Sequence, residues 1–281
     1  MSNPKFAFFG TPYVAADTLA ILVERGFAPA VVITSPDAPK GRGLVLTPCE
    51  TKTFALRHSL PVLTPTKLDA EAIEAIKGYG CEYGIVVAYG KILPDALIQL
   101  FPKGLLNVHY SLLPKYRGAS PVEAALLAGD AVTGVAVQKL VHELDAGDII
   151  AIKEVAIEPE ETTKELRPRL VGLGAELLAG VLPSYLAGEA AGTPQDASAA
   201  TRSRKIAKAD GELDLAGPAE ENWRKYRAYA ESPGTYFFTQ KDGVKTRMKI
   251  TKAKLVEGKF IVERVIPEGK REMAYQDTIS A

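Results

Sequence analysis

Apolar runs, broken by turns rich in Gly and Pro, set the rhythm of this sequence, and their lengths and periods predict its elements. Residues 5–9 end in four apolar positions and predict a buried strand. Gly10, Thr11 and Pro12 form a turn, and residues 14–23 repeat apolar positions at helical spacing. Residues 29–34 and 61–63 predict further strands, and 69–77 a helix. Residues 83–88 are apolar throughout and predict a central parallel strand, ended by Tyr89-Gly90. The next strand falls at 105–109, followed by a helix at 121–127 with Ser120 as its N-cap. Residues 133–141 and 149–157 predict two strands, antiparallel across the turn Asp145-Ala146-Gly147. A long helix covers 162–186. Residues 188–203, rich in Ala, Gly, Ser and Thr, read as a linker. Beyond it, 218–229 is amphipathic and helical, with Pro218 in the first turn. Residues 236–238, 247–252 and 260–265 predict strands of a small sheet or barrel, with turns at Asp242-Gly243 and Glu257-Gly258.

Side chains alternate between the faces of a strand, so within 105–109 Asn107 and His109 share one face while Leu106 and Val108 share the other. Asp145 ends the next apolar run and can complete a three-residue polar cluster. The opening strand–turn–helix is similar to a Rossmann unit. It lacks Gly-x-Gly-x-x-Gly, so a nicotinamide cofactor is not expected. Ligands of open parallel sheets sit beyond the carboxyl ends of the strands, which places Tyr89, Gly90 and Ile92 well for a pocket. A plain strand-to-helix turn explains the same residue types. The loop at 35–43 sets Lys40 and Arg42 among Gly and Pro, which reads either as a mobile surface loop or as a phosphate contact.

Composition narrows the class. At 281 residues one large or two medium domains are expected, and 47% hydrophobic residues suffice for a real core. No run of about 18 apolar residues indicates a membrane span. The first residues lack the features of a signal peptide. Cys49 and Cys81 have no metal-ligand spacing, and a zinc site from His109, His142 and Asp145 is favoured by nothing in their spacing. A cytoplasmic protein is expected. Residues 1–201 hold 17 Lys and Arg against 22 Asp and Glu, and residues 202–281 hold 17 against 12. The basic end suggests a polyanion partner; taken alone, a surplus of that size is also ordinary for solubility.

The residues Asn107-x-His109-x-Ser111-Leu112-Leu113-Pro114, followed by Leu144-Asp145-Ala146-Gly147-Asp148, resemble the 10-formyltetrahydrofolate-dependent formyltransferases. Phe9-Gly10-Thr11-Pro12, residues 35–48, residues 87–94 and residues 205–214 are similar to the branch of that family that acts on methionyl-tRNA. The resemblance covers nearly the whole chain up to about Lys254. It implies an α/β fold: a Rossmann-like formyltransferase domain at 1–188, a linker at 189–203 and a C-terminal barrel of the oligonucleotide-binding type at 204–281. With few residues after Lys254, that barrel is expected to be reduced and partly open.

The resemblance further implies catalysis by Asn107, His109 and Asp145. It implies a 10-formyltetrahydrofolate site at Tyr89, Gly90, Ile92, Ser111, Leu112, Leu113, Pro114 and Val141. Contacts to the acceptor, initiator tRNA charged with methionine, are implied at Gly10, Thr11, Pro12, Lys40, Arg42 and Arg117, and the chain is expected to work as a monomer. Formyl transfer needs no nucleophilic side chain, because the amine attacks directly. Asn107 can donate to the developing oxyanion. His109 can donate to the same oxygen or move a proton, and Asp145 can orient it. Arg117 can instead cover apolar surface with its stem. Two other functions stay open: a sugar-amine or nucleotide-amine formyltransferase with the same core, and a non-catalytic RNA- or folate-binding module.

Overall fold

The computed structural model describes residues 4–41, 43–241 and 244–279. The chain runs β1 (Phe6–Gly10), α1 (Tyr13–Glu24), β2 (Val31–Ile33), β3 (Ala38–Lys40), β4 (Val45–Thr47), α2 (Glu50–Arg57), β5 (Val62–Leu63), α3 (Ala70–Lys77), β6 (Tyr83–Val87), α4 (Asp95–Ile98) and β7 (Leu105–His109). It continues through β8 (Arg117–Gly118), α5 (Pro121–Ala128), β9 (Val132–Lys139), β10 (Ile149–Ala156) and α6 (Thr163–Leu186). It ends with β11 (Arg202–Ser203), α7 (Ala219–Ala228), β12 (Thr235–Lys241), β13 (Val244–Val256), β14 (Lys259–Pro267), β15 (Met273–Ala274) and α8 (Gln276–Ile279). Its contacts divide into two units. One holds the chain up to Arg117 with Gly134–Glu154 and Pro168–Arg202; the other holds Gly118–Thr133, Val155–Arg167 and the chain from Ser203 on.

The first unit is built on a sheet in the order β10-β9-β7-β6-β1-β2-β5. From β7 to β5 its strands are parallel. The apolar runs that predicted strands are its core: Phe6, Phe8, Phe9, Ile85, Val87, Leu105 and Leu106 are all nearly inaccessible. Strand β9 turns antiparallel to β7. Lys139 N–H donates to Asp148 O at 2.9 Å and Gly134 faces Lys153 O, so β10 is antiparallel to β9, as expected. Gly174 lets α6 lie close on the sheet, because a Cβ there would stand 2.9 Å from Val108 and 3.0 Å from Val135. By length and composition α6 could cross a membrane. Its Leu170, Val171, Ala175, Leu178 and Leu182 are buried in the protein, as in a core helix.

Three segments differ from their predicted form. The loop expected at 35–43 gives way to the antiparallel ribbon β3–β4, whose second strand has no predicted form. Gly41 and Leu44 take positive φ at its turn, and Leu44, Val45 and Leu46 are exposed, so no period marks it. Helix α2 has no predicted counterpart; Cys49 caps it, its sulfur accepting from Lys52 N–H at 3.4 Å. The stretch read as a linker carries a short 3-10 turn at Ala197–Ala199 and strand β11. Ser120 stands at the N-cap position of α5, yet among the described residues its side chain makes no capping bond.

The second unit centres on an antiparallel sheet in the order β12-β13-β14-β15. Among the described residues it is an open sheet of four strands. Leu213, Phe237, Met248, Ile250, Ala253 and Val265 form its core. Strand β13 is longer than predicted because its pairing with β14 shifts register between Ile250 and Ala253, so the inward residues Met248, Ile250 and Ala253 do not keep a period of two. The Glu257-Gly258 turn is present, both residues at positive φ. The Asp242-Gly243 turn lies outside the described residues.

Candidate active site

Strand β1 stands where the sheet's order reverses: β2 and β5 extend from one side, β6 and β7 from the other. Open parallel sheets hold ligands beyond the carboxyl ends of their strands at such a point. Gly10 ends β1 there. A Cβ on it would lie 2.5 Å from Ala15 Cβ and 2.9 Å from Val87 O, so only glycine lets β1 meet α1 and β6 this closely. Thr11 Oγ1 lies 3.1 Å from Ser35 Oγ and donates to Tyr89 O at 3.4 Å. Ala88 and Gly90 take φ of 46° and 77°, turning the chain sharply after β6. The Tyr89 ring packs edge-on against Phe9, and burial pushes its hydroxyl up to about 12. That hydroxyl has no hydrogen-bond partner among the described residues.

One strand over, β7 and β9 set Asn107 opposite Gln138 and His109 opposite Ala136. The turn after β9 brings Asp145 back onto this pair with φ of 51°, a conformation that Asp tolerates better than most residues. Its Oδ1 accepts from Gln138 Nε2 at 2.9 Å and from Asn107 Nδ2 at 3.3 Å. Its Oδ2 faces His109 Nδ1 at 3.7 Å. His109 Nε2 lies 3.0 Å from Tyr116 O. A carbonyl only accepts, so Nε2 carries a hydrogen. Both ring nitrogens therefore face acceptors.

Around this cluster, Arg117 is 6% exposed and its guanidinium reaches Gln195 and Glu143. Gln195 donates to the carbonyls of Asp145 and Gly147 at 2.9 and 2.7 Å. Among the described residues no group of three His, Cys, Asp or Glu could hold a metal ion.

The sequence matches the formyl transferase family over residues 4–182 and the formyl transferase C-terminal domain over residues 205–271. The chain belongs to the formyl transferase family. It is 43% identical to the methionyl-tRNA formyltransferase of Bdellovibrio bacteriovorus over 243 residues, covering 85% of this chain and 76% of the relative. With that of Symbiobacterium thermophilum it shares 36% identity, over 98% of this chain and 92% of the relative. Among solved structures, an N-formyltransferase from Helicobacter canadensis in complex with folinic acid and dTDP-3-aminofucose superposes with a TM-score of 0.66 at 16% identity, covering 96% of this chain and 98% of the other. Phosphoribosylglycinamide formyltransferase from Bacillus halodurans gives 0.55 at 22% identity, over 65% and 95%. At those identities the two structures show the fold alone.

In this formyl transferase most of the residues singled out in the sequence fall into three groups. Asn107, His109 and Asp145 meet, as their motif predicts. Gly10, Thr11, Pro12, Tyr89 and Gly90 gather at the carboxyl ends of β1 and β6. Ile92 is 93% exposed, and Val141 is also exposed. His142 Nδ1 lies 3.0 Å from Asp95 Oδ1, which ties together the segments that carry these two apolar side chains.

The remaining residues point elsewhere. Ser111 is buried and donates to Lys115 O at 2.6 Å, and Leu113 is buried beside Pro114, whose carbonyl accepts from Thr201 N–H. Leu112 lies over β9, its side chain against Gly134. Arg117 lies inside the unit. Lys40 is exposed on the β3–β4 ribbon, 3.0 Å from Glu50. Arg42 lies outside the described residues. A pocket of about 600 Å³ beside Val141, lined by Leu105, Lys139 and Tyr185 among others, and one of about 400 Å³ between Leu63 and Ala75 both leave out the Asn107–His109–Asp145 cluster. Sequence reasoning passed over Gln138 and Gln195. The pairing of Asn107 with the 133–141 strand was the one signal that could have found Gln138.

Proposed function

We propose that this chain transfers the formyl group of 10-formyltetrahydrofolate to the amino group of methionine on charged initiator tRNA. The observation that carries the reading is the meeting of Asn107, His109 and Asp145 at the carboxyl edge of β7, in a chain 43% identical to a methionyl-tRNA formyltransferase. The amine nitrogen bonds to the formyl carbon, and a tetrahedral intermediate forms. The Asn107 amide donates to its oxyanion. The His109 Nε2–H, which donates to Tyr116 O here, is a second donor for which the oxyanion competes. Asp145, on the far side of the ring, orients the imidazole through Nδ1. The bond from the formyl carbon to the folate nitrogen then breaks as the proton released by the amine nitrogen passes to that folate nitrogen, which completes the transfer.

In this reading residues 1–188 carry the chemistry, 189–203 connect, and 204–281 meet the tRNA. The exposed apolar side chains Ile92 and Val141, with the main chain at Tyr89 and Gly90, suit a flat pteridine ring. Lys40 on the ribbon and the basic C-terminal residues suit phosphates, which makes use of tRNA salt-sensitive. The reading includes action in the cytoplasm without membrane attachment, since both substrates are water-soluble. One assay decides it. Purified protein with 10-formyltetrahydrofolate is offered charged initiator tRNA, charged elongator tRNA and amino-sugar nucleotides. Formylation of initiator tRNA well ahead of the other two is expected. Turnover confined to an amino-sugar nucleotide would replace this reading with that of a sugar-amine formyltransferase.

A further inference from the structure

Asp145 is held in place from a stretch of chain that carries none of the chemistry legible in the sequence. Gln195 lies in the segment 188–203. Its Oε1 accepts from Arg117 Nε at 3.0 Å and Nη2 at 2.9 Å. Its Nε2 donates to Gly147 O at 2.7 Å, Asp145 O at 2.9 Å and Gln138 Oε1 at 3.2 Å. This amide has only one tolerable orientation. A guanidinium offers donors alone and a main-chain carbonyl accepts alone, so a flipped amide would oppose like to like on both sides. Gln138 is oriented in turn. Its Oε1 is turned to Gln195, which leaves Nε2 for Asp145 Oδ1 at 2.9 Å.

The result is a one-way series of donors: Arg117 to Gln195, Gln195 to Gln138, Gln138 to Asp145. It fills Oδ1 of Asp145, together with Asn107, and leaves Oδ2 to His109. The backbone on both sides of Gln195 is stitched down as well. Thr193 and Ile149 exchange two backbone hydrogen bonds of 2.9 Å each, Tyr116 N–H donates to Thr201 Oγ1 at 2.8 Å, and Arg117 N–H donates to Thr201 O at 2.9 Å. A segment tied at both ends, with one amide aimed at the catalytic turn, does more than join two parts of a chain.

We infer that Gln195 is a positioning residue for formyl transfer: through Gln138 and the carbonyls of Asp145 and Gly147 it sets where the Asp145 carboxylate stands beside Asn107 and His109. The inference rests on the function proposed above. A displacement of about 1 Å in a catalytic group can cost on the order of 100-fold in rate.

The test uses the full chain with Gln195→Ala, Gln195→Glu, Gln138→Ala and the double variant Gln138→Ala/Gln195→Ala. Formylation of charged initiator tRNA is measured with kcat and KM separated, and amide hydrogen exchange across residues 143–148 is followed without substrates. Gln195→Ala should lose roughly 10–100-fold in kcat, with both KM values within about threefold of wild type, and exchange across 145–147 should quicken. Gln195→Glu, nearly isosteric and able to accept from Arg117 but not to donate, should resemble Gln195→Ala. The double variant should be no slower than the slower single, because one series of bonds has been cut twice. A Gln195→Ala kcat within about threefold of wild type overturns the inference, as does a loss confined to KM or a double variant whose losses multiply. A wild-type protein that formylates no tRNA overturns the proposed function instead. Positioning of the turn is then read from exchange alone, and unchanged protection at 145–147 in Gln195→Ala and Gln195→Glu overturns it.

Discussion

The polar groups around Asp145 and those on the C-terminal sheet are held by opposite means. Asp145 has a side chain 10% exposed and accepts from the uncharged amides of Asn107 and Gln138. On the sheet the partners are charged and open to water. Glu263 lies between Lys252 at 3.1 Å and Lys254 at 2.6 Å, and Arg264 meets Glu272 at 3.3 Å. Arg247 and Lys245 stand over the rings of Tyr236 and Phe238 at 3.9 and 4.0 Å. Out of water, each hydrogen bond strengthens and each orphaned group costs more, whereas exposed pairs are screened and exchange their partners for solvent. Removing one atom should therefore be felt strongly in the first region and weakly in the second. Position is what the first region supplies; the second supplies charge, which is less particular about where it sits.

The largest effects are expected at the cluster itself. Asn107→Ala, His109→Ala and Asp145→Ala should each lower turnover by about 10²–10³, the scale of losing one preorganised group, with folate affinity near wild type; Asp145→Ala, which leaves the Asn107 and Gln138 amides without their acceptor, should also lower the melting temperature by several degrees. A His109→Ala variant that keeps more than about a tenth of wild-type turnover would remove His109 from the mechanism and erase the contrast between the regions. Next comes Gly147→Ala. A Cβ at Gly147 would stand 1.8 Å from Lys139 O and 2.8 Å from Lys139 C, backbone against backbone, so the turn that presents Asp145 must shift. A fall of roughly 10–100-fold in kcat is expected, with a melting temperature lower by several degrees. Wild-type kcat in this variant would show that the site does not depend on the placement of the turn.

How far the sequence revealed this contrast depends on what each segment buries. Residues 83–87 are buried on both faces, and so are 105–109 apart from the half-buried Asn107, so their apolar runs could not be mistaken. Asn107, His109 and Asp145 stood out because polar residues at a strand end and at a glycine turn are conspicuous against such runs. Helix α2 escaped because only Thr51 and Ala55 of its eight residues are buried, and because a cysteine caps it where Ser, Thr, Asp or Asn would have signalled a start. The β3–β4 ribbon escaped because none of its side chains is buried and no alternation develops. Gln195 was invisible for another reason. Glutamine carries no charge, no reactivity and no backbone signature, so its importance exists only once Arg117, Gln138 and the turn surround it. Arg117, whose charge drew attention as a tRNA contact, lies inside the unit with its guanidinium turned to Gln195 and Glu143.

On the sheet the third prediction is a small one. Glu263→Gln removes the charge that Lys252 and Lys254 share while keeping the shape of the side chain. Burial of its carboxylate is slight, and the lysine hydrogen bonds that lower its pKa act in solvent. Melting temperature should change by less than about 3 °C, with turnover unaffected. A larger loss would mean that the charged face of the sheet, and not its apolar core of Phe237, Met248 and Val265, determines its stability.

The smallest effect is expected at Asp210, and it separates charge from geometry within the second unit. Arg204 grips the Asp210 carboxylate with two bonds of 2.5 and 2.7 Å, and Ala207 N–H donates to it at 2.6 Å. The Arg204 hydrogen bonds first, and the Ala207 N–H second, hold Asp210 down to about 2, against an ordinary 3.8. A carboxyl group whose folded value is depressed stabilises the fold above its unfolded value and loses that contribution as pH falls toward its folded value. The window here runs from about 4 down to about 2. Asp210→Asn keeps an oxygen that can accept from Ala207 N–H and removes the charge. The melting-temperature difference between wild type and variant should be largest above pH ~5 and shrink to roughly half by pH 3. Because Arg204 is 69% exposed, raising the salt at pH 7 should reduce the difference too. A difference that is the same at pH 7 and pH 3, and the same in high salt, would show that Asp210 acts as a neutral cap on the turn at Lys208–Gly211, and that even this exposed pair depends on position in the way the buried site does.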